Sequence, residues 1–414
     1  MLTGSGQPDK TAMQYILVIN SGSSSIKFKI IALPKVTDLV DGSINGIGGS
    51  QGEHKLVFNI TSDTKESPFS EQGVFVDHAN AFACVLQDID KVLKKFPHLR
   101  IDAVGHRVVH GGTRFISPVR LNLAILEEIA ALDYLAPQHI PGNVIGMKMF
   151  MQLFADTPQV AVFDTGFHQN MPEYAYRYPV PEKWFKEFAI RRFGFHGSSH
   201  QYVMNKAAEL LSKPVDQLNL ISLHLGNGDS ACAIQKGHSI DTSMGFTPLE
   251  GLMMGARCGD IDASIPLYLQ KRHGLSIDEV DQQLNFESGL YAICQSSDMS
   301  KIVDRAQGDD DKASLALDMF IYRIRKYIGA YLVILGDVDA IIFTGGIGEN
   351  SPYIRARCCQ GLMKFGIKLD QNRNLDIQQT MAVVSGSDSA TKILVVKTEE
   401  EHQIAREVSH LLTL

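Results

Sequence analysis

The chain has 414 residues, of which 44% are hydrophobic and 21% charged, with a net charge of −7. That length implies two domains or more, and the composition is that of a globular protein, excluding a fibrous or wholly disordered chain. The acidic balance, with no Lys/Arg cluster, argues against nucleic acid as a partner, and no apolar run approaches the ~18 residues of a membrane span.

The N-terminus, Met1 to Gln14, is polar and lacks an apolar signal core, so residues 1–14 are expected to form a disordered tail. The six cysteines (Cys84, Cys232, Cys258, Cys294, Cys358, Cys359) show no CxxC and no zinc-like spacing. Free thiols in a reducing compartment, hence a cytoplasmic location, are expected.

The first element is the most informative. An apolar strand at 15–20 runs into Asn20-Ser-Gly-Ser-Ser-Ser25 and then into a second strand at 26–32. A Gly/Ser turn between strands offers backbone N–H groups, hydroxyls and a lysine to an anion. The chain contains neither the Gly-x-x-x-x-Gly-Lys-Ser/Thr loop nor Gly-x-Gly-x-x-Gly, so any nucleotide is held by a different architecture. Residues 33–75, rich in Gly, Ser and Asp, read as a peripheral β excursion.

Helical periodicity follows at 79–95, a strand at 103–109, helices at 121–135 and 142–154, and a strand at 159–163. A domain boundary is placed near 165. Beyond it come a helix at 199–212 and a second strand-turn-strand at 219–225 and 230–235, around Leu225-Gly-Asn-Gly-Asp229. The two turns lie roughly half a chain apart. They are read either as a duplicated α/β unit with one phosphate hairpin per half or as two ordinary hairpins. A helix at 311–336, strands at 339–343 and 392–397, and a helix at 399–413 complete the chain. Thr398 and Glu401 read as the capping box of that last helix. Strands interleaved with helices predict α/β layers.

Several stretches carry chemistry. Val104-Gly-His-Arg-Val-Val-His-Gly-Gly112 and Gly251-Leu-Met-Met-Gly-Ala-Arg-Cys-Gly-Asp260 each set an arginine, Arg107 and Arg257, beside glycines. Such a guanidinium can meet phosphate or carboxylate oxygens bidentately, or it can bind loop carbonyls. Asp164 closes the strand of Val162-Phe-Asp-Thr-Gly-Phe-His168, where a carboxylate holds Mg²⁺, orients a nucleophile or caps a turn. Arg192-Phe-Gly-Phe-His-Gly-Ser-Ser-His200 supplies His196 and His200, read as donors to a phosphoryl oxygen or as core histidines. Gly345, Gly346 and Gly348 follow a buried strand and allow close backbone approach to a ligand.

These residues resemble the acetokinase family of acetate, propionate and butyrate kinases. The resemblance runs from about Tyr15 to the C-terminus through VINSGSSSIKF, VGHRVVHGG, VFDTGFHQ, RRFGFHGSSH, HLGNG, TPLEGLMMGARCGDID, FTGGIGENS and TEEEHQIARE. It implies two duplicated α/β domains of the actin and sugar-kinase (ribonuclease H-like) type, with a nucleotide cleft between them. The domains expected are 15–165 with a returning 399–414, and 166–398. By the same resemblance Asn20, Ser23, Ser25 and Lys27 meet phosphate and Mg²⁺ (or Mn²⁺), and Glu400 is the Mg²⁺-linked glutamate. Arg107 and Arg257 hold the carboxylate and the moving phosphoryl group, Asp164 positions acyl substrate or metal, and His196 stabilises the phosphoryl. His224, Gly226, Asn227 and Gly228 face nucleotide phosphates. Gly345, Gly346, Ile347, Gly348 and Asn350 lie along the adenosine, and Asp298 meets the same nucleotide. Val109, His139, Phe195 and Pro248 line the acyl site. A homodimer through the second domain is implied as well.

Two positions depart from the family pattern. Gln138 stands where an apolar wall is expected, which bears on substrate size, and Ser300 stands where an arginine is usual, which bears on nucleotide preference. The implied reaction is ATP + acetate ⇌ ADP + acetyl phosphate, with propionate as the alternative acceptor. A sugar or polyol kinase and an actin-like ATPase are remoter alternatives. A carboxylate is a competent nucleophile at pH 7, so no base is assigned. Arg107, Arg257, His196 and Mg²⁺ are expected to neutralise the oxygens in transit.

Overall fold

The computed structural model describes residues 13–59 and 69–412. Residues 1–12 of the expected N-terminal tail lie outside these, while Met13 is described and Gln14 already opens the first strand. The chain divides into two compact units, one made of the chain up to Gly166 together with Glu399 onward, the other of Phe167–Thr398.

The first unit is built on β1 (Gln14–Ser21), β2 (Ser25–Leu33), β3 (Thr37–Asn45), β4 (Gly52–Phe58), β5 (Phe69–Gly73), β6 (Ala103–Val108), β7 (Val119–Arg120) and β8 (Gln159–Phe163). They form one sheet in the order β5-β4-β3-β2-β1-β6-β8-β7. β1 is antiparallel to β2 and parallel to β6, β6 is parallel to β8, and β7 returns antiparallel. The segment expected as a peripheral excursion is instead an edge extension of this main sheet, because β3 pairs with β2 over nearly its whole length.

The side-chain alternation of β1 explains its two-sided burial. Leu17 and Ile19 face the helix His78–Lys95, which packs Phe82, Val85, Ile89 and Val92 at helical spacing. Ile16 and Val18 face the opposite way, where Ile404, Ala405 and Val408 of the returning helix Glu400–Leu412 cover them. That helix lies close over β6 because residue 105 is glycine: a Cβ there would sit 2.8 Å from Val408 Cγ2 and 3.0 Å from Ile404 Cγ2. The helix start is tied to the sheet by Lys29, whose Nζ donates to Asp38 at 2.7 Å and to Glu399 at 2.8 Å.

The second unit contains β9 (Asn219–His224), β10 (Ser230–Gln235), β11 (His238–Thr242), β12 (Ala340–Thr344), β13 (Met381–Val383) and β14 (Lys392–Val396), in the order β11-β10-β9-β12-β14-β13. β9 is antiparallel to β10 and parallel to β12, β12 is parallel to β14, and β13 returns antiparallel. This is the pattern of β3-β2-β1-β6-β8-β7, so the two units are topological duplicates, as the duplicated α/β reading expected. Helix Asp311–Leu335 covers the face carrying Ile221, Leu223, Ile341 and Phe343, and helix Gly197–Leu211 covers the face carrying Leu220, Ile342 and Leu394.

Three local expectations are corrected. The helix expected over 121–135 breaks into Leu123–Ala130 and the 3₁₀ turn Asp133–Leu135. The glycine-rich turn after β12 is a short helix, Gly345–Asn350. The last helix begins at Glu400, so Thr398 stands outside the cap position. Its hydroxyl pairs with Ser199 at 2.8 Å, while Glu401 accepts from Asn20. Helices Ser264–His273, Ile277–Phe286, Gly289–Cys294 and Met299–Gln307 fill a stretch to which the sequence reading gave no element. Among the described residues no helix is long and apolar enough to cross a membrane.

Candidate active site

In the first unit the site gathers at the C-terminal ends of β1, β6 and β8, where open α/β sheets present ligands. Arg107 is the penultimate residue of β6, and Asp164 follows β8 directly. Arg107 Nε donates to Asp164 Oδ1 at 2.9 Å, and Nη2 donates to Oδ2 of the same carboxylate. Its Nη1 donates to Asn20 Oδ1 at 3.1 Å, and Asn20 Nδ2 in turn donates to Glu401 Oε1 at 2.9 Å. Burial works against the Arg107 charge, but Asp164 and Glu400 outweigh it and raise its pKa. Glu400 lies 3.8 Å from Arg107 Nε. Burial, with Asp164 and Glu401 near, pushes its carboxyl up to about 7 against the pull of Arg107.

Of the other first-unit candidates, Lys27 is opposite Asn20 in the hairpin register and exposed, Ser23 is exposed in the turn, and Ser25 opens β2 half-buried. Val109 is buried just past β6, and its N–H faces Asn143 Oδ1 at 3.4 Å. His139 precedes the helix Ile140–Leu153, and Gln138 beside it is exposed.

In the second unit the hairpin β9–β10 and the Gly345–Asn350 helix are stitched together through Leu225. Its N–H donates to Thr344 O at 2.8 Å, and its carbonyl accepts from Ile347 N–H at 2.8 Å. The turn is shaped by Asp229, whose Oδ1 accepts from Gly226 N–H at 2.6 Å. Burial holds the Asp229 carboxyl well above its ordinary pKa, despite Gly226 N–H and Arg257. The imidazoles of His196 and His224 stack with centroids 4.2 Å apart. A Cβ at Gly228 would lie 3.3 Å from Arg257 Nη1 and 3.8 Å from His196 Nε2. A Cβ at Gly226 would lie 3.8 Å from His224 Nε2 and 4.0 Å from Gly346 N. His196, His224, Gly226, Gly228, Arg257 and Gly346 therefore share one place, with Asn227 packed against Gly255 beside them. Asn350 Nδ2 donates to Gly346 O at 2.9 Å and closes the short helix on itself. Gly345 and Gly348 are buried within that helix, and Ile347 is buried with them.

Three candidates have local structural roles. Asp298 caps the helix Met299–Gln307, accepting from Ser300 and Lys301 N–H. The Phe195 side chain is buried and its carbonyl accepts from His168 Nε2 at 2.9 Å. The Pro248 carbonyl accepts from Arg257 Nη1 at 3.3 Å. Val109 belongs to the first unit, Phe195 and Pro248 to the second.

Other groups organise these sites without having been singled out from sequence. Glu349 Oε1 accepts from Gly345 N–H at 2.8 Å and from Thr398 N–H at 3.0 Å. Arg355, fully buried, donates to the carbonyls of Gly348 and Glu349 at 2.9 and 2.8 Å. Arg192 Nη1 gathers the carbonyls of Thr242, Ser243 and Met244, and Nη2 meets Glu250 at 2.6 Å. Glu401, read from sequence as the capping-box partner of Thr398, instead meets Asn20, because sequence does not say which of Glu399, Glu400 and Glu401 turns inward.

Residues 15–406 match the family model described as the Acetokinase family. An acetate kinase of Carboxydothermus hydrogenoformans is 45% identical over 401 residues, covering 96% of this chain and 99% of that protein. The crystal structure of Porphyromonas gingivalis acetate kinase superposes with a TM-score of 0.86 at 36% identity, covering 96% of this chain and 100% of that one. A propionate kinase from Francisella tularensis subsp. tularensis SCHU S4 gives a TM-score of 0.85 at 39% identity, covering 95% and 98%. With a match over nearly its whole length, on the residues that build both sites, the chain belongs to the acetokinase family.

Proposed function

We propose that this protein transfers the γ-phosphoryl group of ATP reversibly to acetate, giving ADP and acetyl phosphate. One observation carries the choice of acceptor: the Asp164 carboxylate takes two N–H groups of Arg107. A hydroxyl acceptor would need a base, and the obvious carboxylate for that task is already paired with a guanidinium. A carboxylate acceptor needs no base. It needs positive charge, which Arg107 and Arg257 supply.

The difficulty in such a reaction is to bring one anion against another. In the proposal Arg107 meets the carboxylate acceptor, while Arg257, His196 and the N–H groups of the Gly226–Gly228 turn meet phosphoryl oxygens. Asp164 and Asn20 hold the Arg107 fork in one plane, which keeps its donors aimed before substrate arrives. The proposed ion is Mg²⁺. Asn20 and Glu400 would offer it hard oxygens, and among the described residues the Glu400 carboxylate makes no hydrogen bond, its ion pair being with Arg107 at 3.8 Å. A carboxylate crowded by Asp164 and Glu401, with the Arg107 ion pair at 3.8 Å and no hydrogen bond, fits a cation ligand. When bound, Mg²⁺ would neutralise nucleotide phosphate charge. A cytoplasmic homodimer is part of the proposal on the family resemblance.

The test is acyl phosphate formation from ATP and Mg²⁺, trapped with hydroxylamine, across acetate, propionate, butyrate and glycerol. Hydroxamate with acetate, at the highest kcat/KM of the panel, is expected. ATP turnover with glycerol and no hydroxamate would overturn the carboxylate reading. A higher kcat/KM with propionate would move the assignment to propionate.

A further inference from the structure

Behind His196 a row of buried side chains runs into the core of the second unit. His196 Nδ1 is 2.9 Å from Ser230 Oγ, and Ser230 Oγ is 2.8 Å from His200 Nε2. His200 Nδ1 is 2.8 Å from Ser222 Oγ. Ser222, Ser230 and His200 are all fully buried. β9 supplies Ser222, β10 supplies Ser230, and His196 and His200 lie at the start of helix Gly197–Leu211. The other nitrogen of His196, Nε2, points toward the Gly228 turn and Arg257.

The protons in this row can be ordered in two directions. Burial, with His168 and His224 nearby, holds His200 well below its ordinary pKa, so its ring has one donor and one acceptor. In one direction His196 Nδ1–H donates to Ser230, Ser230 to His200 Nε2, and His200 Nδ1–H to Ser222. The Ser222 hydroxyl proton is then left over. Among the described residues that hydroxyl has His200 as its one hydrogen-bond partner, so a buried donor would go unsatisfied. In the other direction Ser222 donates to His200 Nδ1, His200 Nε2–H to Ser230, and Ser230 to His196 Nδ1. Every proton shared within the row then has an acceptor, spare lone pairs remain at Ser222, and the His196 Nε2–H is turned to the half-buried end of the row at the Gly228 turn.

We infer that Ser222, His200 and Ser230 form a one-directional hydrogen-bond chain that holds neutral His196 with its proton on Nε2, as a donor toward the phosphoryl group. The imidazolium form is disfavoured by the same arrangement, since it would turn the Nδ1 acceptor into a second donor facing the Ser230 hydroxyl proton. Ser230 is thus a positioning residue, and His200, for which the sequence left a phosphoryl donor and a core histidine both open, sets the tautomer of its neighbour one turn away. The inference rests on the proposed role of His196.

The test uses the full chain labelled with ¹⁵N-histidine and long-range ¹H–¹⁵N correlation, with His196 assigned by its loss in His196→Gln. The expected wild-type spectrum is a neutral ring protonated at Nε2. Ser230→Ala should remove the hydrogen bond to His196 Nδ1, moving that nitrogen's ¹⁵N shift to the value of an unbonded ring nitrogen, and lower kcat by about tenfold or more as the ring loses its anchor, since removing one transition-state donor costs ~10²–10³. KM for ATP should hold, while the melting temperature falls because His200 Nε2–H loses its acceptor. Ser222→Ala, at the far end of the chain, leaves His200 Nδ1 without a donor but keeps Ser230 as acceptor of His200 Nε2–H, so His196 should stay in its Nε2–H form with a small loss of kcat. An Nδ1–H ring or an imidazolium in the wild type at neutral pH would overturn the chain, as would a His196 Nδ1 shift left unmoved by Ser230→Ala. Full acyl phosphate synthesis by His196→Gln would overturn the role of His196, while leaving the tautomer itself on record. Absence of acyl phosphate synthesis by the wild type would instead overturn the proposed reaction.

Discussion

Arg107 and Asp164 form a two-point pair, with Nε donating to Oδ1 at 2.9 Å and Nη2 to Oδ2, while the remaining nitrogen of the fork reaches Asn20 at 3.1 Å. The fork is therefore aimed before any ligand binds. Arg257 is less bound, with Pro248 O at 3.3 Å, and burial lowers its pKa although Asp229 opposes this. Replacing either by alanine is expected to lower kcat by about a hundredfold or more in a folded protein, since arginines in this role are worth ~10³–10⁵. Steady-state kinetics with circular dichroism as the folding control checks this. A loss under about tenfold would remove that arginine from the transition state.

Val109 is 4% exposed and sits one residue past β6, close in sequence to Arg107. If it bounds the acyl group, Val109→Ala should raise the ratio of kcat/KM for propionate over acetate by about tenfold, because one methylene is worth ~1–3 kcal/mol in such a pocket. An unchanged ratio would place the size limit elsewhere and direct attention to Gln138.

Gly345 has φ of +77°, and a Cβ there would run into the backbone of Leu225. Those are the atoms that stitch the Gly345–Asn350 helix to the β9–β10 hairpin. Gly345→Ala should therefore raise KM for ATP several-fold and cost about 1–3 kcal/mol of stability. Equal ATP KM in mutant and wild type would mean that this helix does not bear on the nucleotide.

Glu407 lies on the returning helix, where burial pushes its carboxyl from 4.5 up to about 7, against the Gln403 hydrogen bond. The folded state thus holds a proton that the unfolded state has released between those two values. The contribution of this group to stability falls as pH rises from about 4.5 to about 7, and stays low above that. Glu407→Gln keeps an acceptor for Gln403 and removes the titration. It should melt above the wild type at pH 8, with the gap closing as pH falls toward 4.5. A pH-independent gap in Tm would contradict this.

The chemistry-bearing turns were legible because their signals are local. A β-branched strand followed by Asn20-Ser-Gly or by Gly226-Asn-Gly needs only nearest neighbours to form its hairpin. Arginine beside glycine at 107 and 257 likewise announces itself. The region 264–307 was not legible in the same way, although Ser276 and Glu279 form a capping box. Its helices are short, and Val280 is the only buried residue of Ile277–Phe286, although Met299, Ile302, Val303 and Ala306 do form a short apolar stripe on the last of them. Thr398 and Glu401 show the converse error. They carry the spacing of a capping box, yet tertiary partners, Ser199 and Asn20, take their polar atoms.

Sequence by itself determined the hairpins, the alternation that buries β1 on both faces, and the positions of the arginines and glycines, since each depends on residues within a turn or a strand of one another. The tertiary structure alone decided which groups meet. The repeated sheet order became visible only through pairings such as β1 with β6 and β9 with β12, which join strands far apart in the chain. Glu401 reached Asn20 across 381 residues, and Ser222 and Ser230 reached His200 from neighbouring strands. Hydrogen bonds of this kind are set by where packed layers bring side chains together, and side-chain periodicity carries no record of that.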